Sequence, residues 1–97
     1  ALALRKLNRL EKVIASYDKA LEFKSDFEEA WPNRGNALYH LGYLDAAISS
    51  YDKALELKPN NPNTLYNKAC CYALQGDFDM AFENLQRAVD LSPDEYC

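Results

Sequence analysis

The sequence predicts an all-α protein built from helix pairs that recur every 34 residues. Two observations carry this expectation. The heptapeptide Ser16 to Glu22, SYDKALE, returns letter for letter as Ser50 to Glu56, and a looser copy stands at Asn84 to Asp90. On the same step, Ile14, Ile48 and Phe82 form one apolar column, and Tyr17, Tyr51 and Leu85 a second. Ala20, Ala54 and Ala88 form a third, and Leu21, Leu55 and Val89 a fourth. Within each copy these positions fall at i, i+3, i+6 and i+7, the spacing of one helical stripe turned toward a neighbour.

Taken in chain order, residues 1–27 supply a truncated first repeat: the tail of a first helix and a complete second helix, with Asn8 at the turn between them. Residues 28–61 form a complete repeat. Its first helix carries the apolar stripe Ala30, Trp31, Ala37, Leu38 and Leu41 and ends at Gly42, where a left-handed residue costs least. Ser25 or Asp26 is the possible cap of that helix, and Pro32 then predicts a kink or a late helix start, since proline removes an internal hydrogen bond. Residues 62–95 repeat the plan, with Asn61 as N-cap, Pro62 at the first helical position, and Thr64, Leu65, Cys71, Tyr72 and Gln75 as the stripe. Gly76 stands one period after Gly42, and Pro93 one period after Pro59. Residues 96–97 read as the start of a missing following helix. Tyr17, Trp31, Tyr51, Phe78 and Phe82 recur at core spacing and are assigned to packing.

Composition sets the class. The 97 residues suit one small domain, 48% apolar and 27% charged, and no apolar run approaches the length of a membrane span. Cys70, Cys71 and Cys97 are odd in number and lack C-x-x-C spacing, so reduced thiols in the cytoplasm are expected. The chain opens Ala1-Leu2-Ala3-Leu4 with neither initiator Met nor secretory leader, which points to a fragment or a processed product. A net charge of −4 argues against general nucleic-acid binding. That charge slopes along the chain, from +2 over residues 1–27 through −2 over 28–61 to −4 over 62–97.

With the period and the punctuation in place, the chain resembles the tetratricopeptide repeat (TPR) family. The family pattern W-x2-L-G-x2-Y…A-x3-F…P is met by Trp31, Gly35, Leu38, Ala47, Tyr51 and Pro59, and again by Leu65, Ala69, Tyr72, Ala81, Leu85 and Pro93. Arg34 and Lys68 stand where the pattern has the Leu before the Gly. The resemblance implies a right-handed superhelical solenoid of antiparallel helix pairs and a concave groove, lined by first helices, that binds a peptide segment of a partner. By helical phase the groove residues are Asn33, Asn36, Tyr39 and His40 from one first helix and Asn63, Tyr66, Asn67 and Cys70 from the next, with Arg5 and Lys6 from the truncated one. Asn33 and Asn67, one period apart, form an asparagine ladder able to grip a peptide backbone, with Asn36 as a third member. The two-cation, two-asparagine clamp that some members use for a C-terminal carboxylate is incomplete, because Pro32 sits where its first Lys belongs.

The expected function is therefore a non-catalytic protein-protein interaction module or scaffold with a protein or peptide partner, and with no nucleic acid, membrane, cofactor or metal. One alternative is a self-assembling array, its uncapped basic end meeting the acidic end of the next copy. A second is a Cys-dependent enzyme using Cys70 with His40 as base and Asn36 as orienter. No phosphate-binding glycine loop occurs, and the single His rules out a histidine cluster around a metal.

Overall fold

A computed structural model describes the backbone of residues 2–24 and 29–92, and the side chains of 8–24 and 29–92. Five α-helices, and no strand, occur among the described residues: α1 (Leu2–Phe23), α2 (Ala30–Leu41), α3 (Leu44–Leu57), α4 (Pro62–Leu74) and α5 (Phe78–Leu91). Each packs on its neighbour in the chain, and α2 also touches α4. The result is an all-α helical solenoid in which α2 and α4, the first helices of successive repeats, lie side by side.

Local chemistry fixes the boundaries. Asn61 accepts from the backbone N–H groups of Asn63 and Thr64 at 3.1 and 3.4 Å, and Pro62 opens α4 where no N–H is needed. Pro32 gives a late start: α2 begins at Ala30, so the proline falls within the first turn, whose amides have no intrahelical partner in any case. Its suggested caps, Ser25 and Asp26, lie outside the described residues. Gly42 and Gly76 take φ of 86° and 83°, the left-handed region that glycine enters freely. The Tyr43 amide then donates back to Leu38 at 2.9 Å, and that of Asp77 to Tyr72 at 2.9 Å, closing both helix ends.

The turn expected at Asn8 does not form. Helix α1 runs through that position unbroken, and among the described residues no residue other than glycine has positive φ. Asn8 carries a Cβ where the later copies have glycine, and continuing the helix satisfies every local backbone group.

The core lies between α2, α3 and α4, where Leu38, Ala47, Ile48, Tyr51 and Cys71 meet, flanked by Ile14, Tyr39, Leu44, Ala46 and Tyr72. The second-helix alanines point inward: Ala54 and Ala88 are buried and Ala20 is half-buried. The assignment of Phe78 and Phe82 to packing is corrected, since they are 70% and 67% exposed. Their counterparts one repeat earlier, Leu44 and Ile48, are covered because α4 packs on α3. Among the described residues no helix packs on the corresponding face of α5.

Candidate functional site

Between α2 and α4 lies a cavity of about 400 Å³ lined by Asn36, Tyr39, His40, Tyr51, Tyr66, Asn67 and Cys70. Six of these were expected from helical phase; Tyr51, on α3, was not. Asn33 and Asn63 are exposed and do not contribute to the lining, while the side chains of Arg5 and Lys6 lie outside the described residues. Of the three ladder asparagines, Asn36 and Asn67 touch each other. Asn67 Nδ2 donates to Asn36 Oδ1 at 3.2 Å, so adjacent first helices meet three residues out of step with the sequence period, and Asn33 is left a turn away.

Tyr51 forms the floor. Its ring lies against the α2 backbone at Gly35, where an added Cβ would come within 2.6 Å of the ring, and its hydroxyl donates to Asn36 Oδ1 at 2.5 Å. A buried Tyr needs a partner for its hydroxyl. A tyrosine at a core position of the repeat, with an Asn on the facing helix, was therefore the signal that could have placed it here. Tyr39 meets His40 edge to face, with ring centroids 5.5 Å apart.

The surroundings favour uncharged groups. Burial, then the neighbouring Cys70, Cys71 and Tyr66, push the Tyr39 hydroxyl above its usual range. Burial also pushes Tyr51 well up, with Cys71 as the next contributor. The Cys71 thiol beneath the cavity is pushed up to about 11, chiefly by burial and then by Cys70.

The cations that replace the pattern's Leu are engaged elsewhere. Arg34 Nε pairs with Asp18 at 2.7 Å, and Arg34 also donates to the buried hydroxyl of Ser50. One period later Lys68 Nζ pairs with Asp52 at 2.6 Å. Each links a first helix to the second helix of the preceding repeat. Cys70, His40 and Asn36 do share the cavity, but the Asn36 oxygen that would orient a base already accepts from Tyr51 and Asn67. Among the described residues no three His, Cys, Asp or Glu side chains gather as metal ligands, and no helix is long and apolar enough to cross a membrane.

Comparison with known proteins gives a consistent family. The solved structure of YrrB, described as a TPR protein with an unusual peptide-binding site, is 29% identical and superposes with a TM-score of 0.84 over 95% of this chain and 47% of that one. MamA 41-end from Desulfovibrio magneticus RS-1 is 22% identical, with a TM-score of 0.85 over 97% of this chain and 53% of its own. Another MamA structure is 20% identical, with a TM-score of 0.84 over 90% and 51%. The chain thus spans about half the length of the solved structures it matches. No curated protein sequence matches it. A TPR repeat pattern covers residues 1–42 and a tetratricopeptide repeat pattern residues 26–94, and with the stacked helix pairs described above they establish that the chain belongs to the tetratricopeptide repeat family, whose members act as protein-protein interaction modules.

Proposed function

We propose that the surface formed by α2 and α4 binds a peptide segment of a partner protein, without catalysis. The carrying observation is the cavity between the two first helices, which gathers two carboxamides, three tyrosines, a histidine and a thiol around one concave spot. Carboxamides both donate and accept, and tyrosines are rigid amphipathic anchors, so the lining suits a peptide's backbone and one side chain. The similarity to YrrB, which has a peptide-binding site, supports this reading. Peptides selected from a random library against the protein provide the test. Tyr66→Ala with Asn67→Ala is expected to weaken their binding at least about tenfold by fluorescence anisotropy, with helicity unchanged. Equal affinity in the double variant rejects the groove.

A second reading, self-association, is favoured by the uncovered face of α5, where Phe78, Phe82 and Leu85 are 70%, 67% and 37% exposed. Contiguous exposed apolar surface of this kind marks contact sites.

A further inference from the structure

The cavity has a fixed hydrogen-bond polarity that restricts what it can hold. Tyr51, only 1% exposed, donates its hydroxyl proton to Asn36 Oδ1, and Asn67 Nδ2 donates to the same oxygen. With that oxygen turned inward, Asn36 presents its Nδ2 hydrogens outward, and Asn67 keeps its Oδ1 lone pairs. Among the described residues Asn36 Nδ2 and Asn67 Oδ1 have no hydrogen-bond partner. Among the described residues no buried side-chain polar atom is left unpaired, so both atoms keep some access to solvent. The two residues that line the cavity and touch each other thus leave one donor on α2 and one acceptor on α4 available.

We propose that this pair selects a neutral primary carboxamide, the side chain of a Gln or Asn in a bound segment, over a carboxylate of the same shape. The proposal rests on the groove reading above. A primary carboxamide carries its carbonyl oxygen and an N–H on one edge, so it accepts from Asn36 and donates to Asn67 at once. A trans peptide unit holds the two on opposite edges and cannot pair with both. A carboxylate offers only acceptors, which would meet the Asn67 oxygen lone pair to lone pair.

Charge acts in the same direction. Among the described residues no Lys or Arg lines the cavity, and the cations on its two helices, Arg34 and Lys68, are held by Asp18 and Asp52. Tyr39 and Tyr51, both in the lining, are themselves pushed toward their neutral forms, as a ligand carboxylate would be. A site built to hydrogen-bond one group discriminates strongly against an analogue that leaves its polar atoms unpaired.

Two probes that share a backbone separate the possibilities: N-acetylglutamine methylamide and N-acetylglutamate methylamide, titrated into isotope-labelled protein at neutral pH and followed by NMR. The glutamine probe is expected to shift the side-chain amide signals of Asn36 and Asn67 and to bind at least about tenfold more tightly than the glutamate probe. In Asn67→Ala the ratio is expected to fall toward one. Equal binding of the two probes to the unaltered protein overturns carboxamide selection while leaving a backbone-binding groove standing. No binding of either probe overturns the groove reading and this proposal together.

Discussion

At the level of single residues, Gly35 and Tyr51 act as a pair. The ring fills the space that a Cβ at position 35 would need, and its hydroxyl is pinned to Asn36, so it cannot swing aside. Gly35→Ala gains about 1 kcal/mol of helix propensity but overpacks the contact by about 1–3 kcal/mol. A net loss in urea unfolding is expected. One period on, the same positions hold Ala69 and Leu85, the complementary exchange of bulk. Gly35→Ala should accordingly become neutral or stabilising in a Tyr51→Leu background; an unchanged cost there refutes the pairing. Cys71 gives a second expectation. Its thiol is held neutral in the fold, so the unfolded chain loses its proton first as pH rises. Stability from this group is complete below about pH 9 and declines between 9 and 11, with Tyr51 acting in the same direction at higher pH. Urea midpoints across that window should fall, and Cys71→Ala should flatten the decline. The buried alanines and Tyr51 were legible in the sequence because period and residue size agree at those positions. The link from Tyr51 to Asn36 was not, because it depends on how two helices are staggered.

At the level of elements, helix ends were read best where a single residue type has one physical use. Gly42, Gly76 and the Asn61–Pro62 start all behave as their chemistry dictates. Asn8 is the counterexample: asparagine tolerates both a helix interior and a left-handed turn, so alignment with two glycines was weak evidence, and α1 continues through it. A substitution distinguishes the two states directly. In a continuous helix Asn8→Ala improves propensity and should stabilise by about 0.5 kcal/mol, whereas at a left-handed turn it would destabilise by about 1–2 kcal/mol. Thermal melting of the two proteins reads the sign. The repeated ion pairs Asp18–Arg34 and Asp52–Lys68 were spelled out at the 34-residue period, yet only the packed structure shows that they join successive repeats. Because Asp18 and Asp52 are about half exposed, each pair should contribute no more than about 1 kcal/mol in a double-mutant cycle.

At the level of the whole molecule, a stack of repeats makes burial a property of neighbours and not of the repeat itself. This is why the period gave the architecture but mislocated Phe78 and Phe82: the residues sit at core positions, and the surface that would make them core is the next helix. The comparison with α3 is internal to the chain, since Ile48 is 9% exposed under α4 while Phe82, its equivalent, is 67% exposed. The α5 face is therefore an exposed apolar stripe, and Asp79, Glu83 and Asp90 on the same helix are acidic, whereas exposed Arg9 and Lys12 make part of α1 basic. If copies of the chain associate, apolar burial at α5 supplies the attraction and the opposed charges set the orientation. Sedimentation should then show an apparent mass that rises with concentration and, because exposed charges are screened, falls as salt is added. Phe82→Lys adds a charge at the centre of the apolar stripe without touching the cavity between α2 and α4. It should leave the protein folded, reduce self-association at every concentration, and preserve binding of any peptide selected by the groove. Unchanged association in that variant would remove α5 as the contact, while loss of peptide binding along with association would show that the two surfaces are not independent.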